Sequence, residues 1–267
     1  MNSKPPVVLK LGGSVITRKE KPLTPNRAAI GRLANEIASA NPANLVLVHG
    51  GGSFGHPLAK RYRIKEGYNG KASQLLGFAK THEAMVSLNK LVVDALVGEK
   101  IPAVAISPSS FVITKSMRLH SFPEAPLTKL LQLGFVPVLF GDAVSDFDRG
   151  FTILSGDQLI AHLAIHFKAE RVIVGVDVDG LYTADPKVNK EAKLLKNVTL
   201  KELETLIQRI EEAKVTDVTG GMVHKVQEMI PAVEKGISVF FVNATKPNRF
   251  HKALKNEQVK GTHIYKG

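Results

Sequence analysis

Six short apolar runs recur along the chain, at 7–11, 45–48, 103–106, 136–140, 171–176 and 239–242. Each has strand length, is rich in β-branched residues and lacks polar alternation, which marks strands covered on both faces. Helix-period segments lie between them, at 25–39, 73–97, 126–132, 158–167, 200–212 and 222–234. This alternation predicts an α/β chain: a three-layer α/β/α sandwich with a mainly parallel central sheet. The 267 residues contain no repeat, low-complexity tract or Gly/Ser linker, so one domain spanning 1–267 is expected.

Open α/β sheets bind ligands at the carboxyl ends of their strands. The six runs are followed by Gly12-Gly13-Ser14, by His49-Gly50-Gly51-Gly52-Ser53-Phe54-Gly55-His56, by Ser107-Pro108-Ser109-Ser110, by Gly141-Asp142, by Asp177-Val178-Asp179-Gly180 and by Asn243-Ala244-Thr245. Six such loops on one edge predict one site. The HGGGSFGH loop is the densest: its glycines let backbone N–H groups converge on an anion, and a histidine stands at each end. Gly50, Gly52 and Gly55 also satisfy G-x-G-x-x-G. The dinucleotide fingerprint, however, needs a long helix opening at the glycines and an acidic residue about 20 positions on. Here Pro57 intervenes, Lys60-Arg61-Tyr62-Arg63 follows, and no Asp or Glu lies near position 75. The loop reads as a phosphate nest. Lys10, in an apolar strand, is costly to bury unless it meets an anion. It precedes its glycines, unlike the lysine of a Walker A loop, a pattern that occurs nowhere in the chain.

The formal charge of +12 favours an anionic partner. Aromatic residues are only 6% of the chain, and no RNA-binding aromatic pattern stands beside the basic patches at 60–71 and 246–260, so nucleic acid is not expected. No run of 18 uncharged apolar residues predicts a membrane span, and the first residues lack a signal-peptide pattern. The absence of cysteine excludes disulfides, thiolate metal sites and cysteine nucleophiles, and it fits a cytoplasmic protein.

Taken in order, KLGGS (10–14), HGGGSFGH (49–56), GDAV (141–144), SGDQL (155–159), GVDVDGLYTADP (175–186) and TGGMVHK (219–225) resemble the amino acid kinase family. The resemblance implies an ATP-dependent kinase with an acceptor-binding lobe of about 1–165 and a nucleotide-binding lobe of about 166–267. The GGGSFGH form is similar to that of the branch whose acceptor is isopentenyl phosphate. Fosfomycin kinases share a closely similar loop, so a phosphonate acceptor stays open. A non-catalytic nucleic-acid-binding scaffold is disfavoured by the intact Lys10, Asp157 and Lys225.

By the same resemblance, Lys10, Gly12, Gly13, Ser14 and Gly52 would hold the ATP phosphates, and Lys19 would stabilise charge on the transferring group. Arg18 and Lys21 compete with Lys19 for that place. Gly51, Gly52, Gly55, His56 and Gly156 would bind the acceptor phosphate. Asp157 would orient the lysines and serve metal-linked charge balance, a role compatible with its also capping the helix at 158–167. Asp177, Gly180, Tyr182 and Asp185, with Pro186, would seat adenosine, and Gly220, Gly221 and Lys225 would reach the β- and γ-phosphates. Mg²⁺ would be held mainly through those phosphates, and the assembly would be a homodimer. His49 is expected to shape its loop. An isoprenoid tail would draw on Leu76, Phe78, Ala79, Met85, Val86, Phe151, Ile153 and Leu154, and the turn at 147–151 would join two short strands as a flap.

Overall fold

Val7–Leu11 (β1) is buried along its whole length, which only a central position in a sheet can satisfy. The computed structural model describes residues 4–186, 188–212 and 222–267, and twelve strands occur among them. After β1 come β2 (Leu45–His49), β3 (Ala103–Ala105), β4 (Ile113–Lys115), β5 (Arg118–Ser121), β6 (Val136–Phe140), β7 (Asp142–Asp146) and β8 (Gly150–Leu154). β9 (Arg171–Val176), β10 (Asn197–Thr199), β11 (Ser238–Asn243) and β12 (Gly261–Tyr265) complete the set. Eight form the central sheet in the order β10-β12-β11-β9-β1-β2-β6-β3. All neighbours are parallel except β11 and β12. β1 lies between β2 and β9, with Lys10 level with Val48 on one side and Val174 on the other. The chain therefore reverses its winding direction at β1, and a crevice opens beyond its carboxyl end.

The two faces of β1 alternate. Val7, Leu9 and Leu11 pack with Leu33 and Ile37 of helix Arg27–Ala40, Leu88 and Val92 of helix Ala72–Gly98, and Phe250 of helix Arg249–Leu254. Val8 turns the other way, toward Leu159, Ile160 and Leu163 of helix Gly156–His166 and Leu203 of helix Leu200–Glu212. Period two places Lys10 on the same face as Val8. This is the expected three-layer sandwich, and among the described residues no helix is long and apolar enough to cross a membrane.

Three features depart from the sequence reading. A helix, Gly52–Arg61, opens within the glycine loop with Pro57 inside it. Pro57 cannot donate to the carbonyl of Ser53. That carbonyl instead accepts the N–H of Leu23 at 3.0 Å, so the helix keeps its satisfied backbone. The segment at 222–234 is two helices, Met222–Gln227 and Ile230–Glu234, because Pro231 is tolerated only in a first turn. A separate small sheet, β5-β4-β7-β8, contains the expected hairpin around 147–151, but its short polar strands β4 and β5 carry no apolar run to reveal them.

Glu36 is 5% exposed and ties distant parts of one layer together. It pairs with Arg32 and accepts the N–H groups of Asn248 (3.0 Å), Phe250 (3.0 Å) and His251 (3.3 Å), so it closes the start of helix Arg249–Leu254. Glu36→Ala leaves those donors and Arg32 without their acceptor, and a loss of about 3 kcal/mol is expected in urea unfolding. Glu36→Gln, which keeps one acceptor oxygen, is expected to lose less.

Candidate active site

The loops after β1 and β2 meet backbone to backbone. A Cβ on Gly13 would lie 2.3 Å from the nitrogen of Gly52, and one on Gly52 would lie 2.1 Å from Thr17 Oγ1. Gly52 also adopts φ +48°, which side chains disfavour. Thr17 Oγ1 fixes the contact by donating to the Gly13 carbonyl (2.7 Å) and accepting from the Ser53 N–H (3.0 Å). Neighbouring strand ends are stitched alike: Gly12 N–H donates to Gly175 O (2.9 Å), Gly50 N–H to Leu11 O (3.0 Å) and Gly141 N–H to His49 O (3.1 Å).

Above this floor opens a cleft of about 490 Å³. Lys10, Gly12, Gly13, Ser14, Lys19, Gly51, Gly52, Gly55, His56, Gly156, Asp157, Asp177 and Lys225 all line it, so residues up to 215 positions apart in the chain share one space, as the motifs implied. A smaller recess carries Gly180, Tyr182, Asp185 and Pro186, and shares Lys19, Val176, Asp177 and Lys225 with the main cleft. Gly220 and Gly221 lie outside the described residues. Arg18 and Lys21 do not line either space, which leaves Lys19 as the basic residue of its loop on the cleft.

Two of the six predicted loops are not part of the cleft. Ser107–Ser110 follows β3 at the sheet margin, two strands beyond β2, and approaches the site through Ser109 N–H on Asp142 Oδ2 (3.3 Å). Asn243-Ala244-Thr245 folds onto itself, with Thr245 N–H on Asn243 Oδ1 at 3.0 Å. Asn243 also donates to Asp179 (2.9 Å), which is held by Arg249 (2.6 Å) and Lys260 (2.7 Å) as well. Burial works to raise the Asp179 pKa, but these partners outweigh it and hold the value at about 2.

Lys10 is 4% exposed and pairs with Asp157. Helix Gly156–His166 is capped by Ser155, whose Oγ accepts the Gln158 N–H at 3.1 Å, so Asp157 does not add a cap to its place in the site. Asp157 faces the lysine because its neighbour does the capping. Lys19 Nζ reaches Asp177 Oδ2 at 2.9 Å. Lys225 comes from helix Met222–Gln227 and its pKa is lowered, first by burial, with Lys10 and Lys19 adding to the effect against Asp157 and Asp177. Three lysines face Asp157 and Asp177, while Asp142, which also lines the cleft, is held by His82 at 2.9 Å, so positive charge gathers over a floor of glycine amides. Such a surface fits a polyphosphate, which supplies the missing negative charge and accepts the amides.

The two histidines of the glycine loop differ in kind. His49 is fully buried, stacked on Phe140 at 5.5 Å, between the Gly50 carbonyl (Nδ1, 3.2 Å) and Asn89 Nδ2 (Nε2, 3.1 Å). These partners assign the proton to Nδ1. Burial lowers its pKa to about 4, the Gly50 carbonyl opposing. His56 presents its ring to the open cleft. Its pKa is lowered too, first by the surrounding walls and then by Lys225 and Lys10, with Asp157 opposing.

Thr81, Met85, Pro57 and Ala59 also line the cleft. Pro57 and Ala59 escaped the sequence reading because the helix carrying them did. Of the expected tail residues, Met85, Ile153 and Leu154 face the cleft, Phe78 and Phe151 pack on each other at 5.5 Å, and Leu76, Ala79 and Val86 are exposed.

The pattern of the amino acid kinase family matches residues 5–243. The chain belongs to the amino acid kinase family. Within that family it is 44% identical to an isopentenyl phosphate kinase of Methanothermobacter thermautotrophicus, over 97% of this chain and 98% of the relative. It is 34% identical to one of Methanocaldococcus jannaschii, over 96% and 97%. A solved isopentenyl phosphate kinase superposes with a TM-score of 0.86 at 40% identity, covering 97% of this chain and 99% of the other. UMP kinase from Ureaplasma parvum, at 20% identity and a TM-score of 0.65, shares the fold.

The buried His49 makes a pH prediction for this kinase. Its folded value of about 4 lies below the ordinary 6.5. Between those values the unfolded chain binds the extra proton, so stability falls as pH drops through that window, by roughly 3 kcal/mol. Urea unfolding of wild type and His49→Gln from pH 7 to 4 checks this. The stability gap between them is expected to narrow by that amount at acid pH.

Proposed function

We propose that this kinase transfers the γ-phosphoryl group of ATP to isopentenyl phosphate, forming isopentenyl diphosphate. The observation that carries the reading is the meeting of an anion-binding floor and an apolar wall in one cleft. Met85 Sδ lies against Gly51 and Gly55, so close that a Cβ on Gly55 would be 2.8 Å from it, and His56 stands next in sequence. The wall continues through Ala59, Ile153 and Leu154. A phosphate monoester with a short hydrocarbon tail matches both halves. The relatives named as isopentenyl phosphate kinases over nearly the whole chain support the same acceptor.

The roles follow from charge. Phosphoryl transfer needs in-line placement and neutralisation of the equatorial oxygens. We assign Lys10, Lys19 and Lys225 to that neutralisation, with the amides of Gly12, Gly13, Ser14 and Gly52 giving directed hydrogen bonds to the phosphates. Asp157 keeps Lys10 pointed at the cleft, and Asp177 does so for Lys19. The recess at Gly180, Tyr182 and Asp185 takes the nucleoside. Mg²⁺, which would be held mainly through the ATP phosphates, would supply further positive charge there. The acceptor is already largely a dianion, given a second pKa near ~6, so it needs no strong base. His56 acts as a donor to the acceptor phosphate beside Gly51, Gly55 and Gly156. Although its pKa is lowered in the free protein, a dianion beside it favours the protonated ring. The lobe of about 1–165 then carries the acceptor and the glycine floor for the ATP phosphates, and the lobe of about 166–267 carries the nucleoside. A cytoplasmic homodimer accords with this family, and exposed Leu75, Leu76, Val86 and Val97 on helix Ala72–Gly98 offer an apolar surface for it. Sedimentation velocity tests that assembly.

A coupled ADP-release assay across isopentenyl phosphate, dimethylallyl phosphate and fosfomycin tests the acceptor; turnover of fosfomycin alone would overturn it. In the same assay His56→Ala is expected to lose about 100-fold or more in kcat. His56→Gln keeps a donor and should retain more, and wild-type rates in the alanine variant would remove His56 from this role.

A further inference from the structure

Lys225 belongs to helix Met222–Gln227, and Glu228 follows that helix directly. Glu228 is gripped by a distant part of the chain. Arg118, in β5 of the small sheet, binds it through two parallel hydrogen bonds, Nη1 to Oε1 at 2.7 Å and Nη2 to Oε2 at 2.9 Å. The residues on either side of Arg118 are fixed by Gln158, which donates to the Met117 carbonyl at 3.3 Å and accepts the Leu119 N–H at 2.5 Å. Gln158 stands next to Asp157, the partner of Lys10.

The turn before β5 is held from another direction as well. Ser116 and Met117 take φ of +47° and +68°, unusual for side-chain-bearing residues. Asp146 secures this turn by accepting the Met117 N–H (2.8 Å) and the Thr114 hydroxyl (2.8 Å), while its other oxygen takes the N–H groups of Asp148 and Arg149 (2.9 and 3.0 Å). Arg118 therefore projects from a rigid base toward a residue three places beyond Lys225.

We infer that the Arg118–Glu228 pair is a positioning device for Lys225, fixing the distance between that lysine and the Lys10–Asp157 pair across the cleft. Two chains of contact meet there: Asp157 to Gln158 to Arg118, and Glu228 to Lys225. An exposed ion pair adds little to global stability, and the Arg118 side chain is 62% exposed. A bidentate guanidinium–carboxylate pair does define geometry, which a lysine at position 118 could not reproduce. Phosphoryl transfer is sensitive to such placement. Arg118 and Glu228 line neither the cleft nor its recess, so they act through Lys225.

The inference rests on the kinase reading, and the experiment separates the two. Arg118→Gln, Arg118→Lys and Glu228→Gln are compared with wild type for kcat, for KM of ATP and of isopentenyl phosphate, and for thermal midpoint. Each is expected to lower kcat roughly 3- to 30-fold. KM for isopentenyl phosphate should stay within about twofold, and the thermal midpoint should not move. Exchanging the partners, Arg118→Glu with Glu228→Arg, should recover part of the loss. In a Lys225→Ala background, Arg118→Gln should add no further loss, because the residue it positions is gone. Full multiplication of the two losses, or unchanged kcat in the single variants, would overturn the inference. Absence of turnover in wild type would instead overturn the proposed acceptor, and the comparison would then be made with whichever acceptor is phosphorylated.

Discussion

Everything at the crevice depends on the close approach of two backbones, at Gly13 and Gly52. The loops leaving β1 and β2 touch with no side chain between them, since a single methyl group on either would collide with main-chain or Thr17 atoms. That approach turns two separate turns into one continuous bed of N–H groups. It also leaves room beside the bed for Lys10 and Gly156, where the Lys10 Cε would be 3.5 Å from a Cβ on that glycine. A buried lysine in a central strand is tolerable because Asp157 answers it, and it is useful because the pair faces the crevice. Fold and chemistry are thus constrained by the same few atoms.

Much of this is legible in the chain itself, for a physical reason. Strands covered on both faces must be apolar throughout, so β1, β2, β6 and β9 announce themselves, and the strand ends then point to the crevice. Legibility fails where structure rests on hydrogen bonds rather than on apolar burial. β4 and β5 are short and polar, and their turn is held by Asp146, a contact spanning about thirty residues that no local pattern reveals. Helix Gly52–Arg61 is hidden by Pro57, whose cost is met by Leu23, again a distant partner. Asp157 suits a cap and a site residue equally by type, and only the geometry of Ser155 separates the two. Motif resemblance, by contrast, reaches Lys19 and Lys225, which no periodicity argument could bring to Lys10.

His49 and His56 show how little residue type decides by itself. The two stand seven positions apart, His49 ending β2 and His56 in helix Gly52–Arg61. His49 is sealed beneath the bed between Asn89 and a carbonyl, whereas His56 faces the open space above it. Both are held below their ordinary pKa, but for His49 the cause is removal from water alone, whereas for His56 nearby lysines contribute. An arriving anion can reverse the influence of those lysines and cannot touch the burial of His49. One ring is masonry and the other an instrument.

The bond that rescues Pro57 reaches beyond the helix it preserves. Leu23 N–H on the Ser53 carbonyl is joined by Ser53 Oγ donating to the Thr24 carbonyl at 3.3 Å, so the segment following Lys19 is zipped to the helix bearing His56. The cation proposed for the transferring group and the imidazole proposed for the acceptor thus ride on one plate. The spacing of those two backbone segments is set by bonds that lie outside the phosphates' path, between a loop and the first turn of a helix.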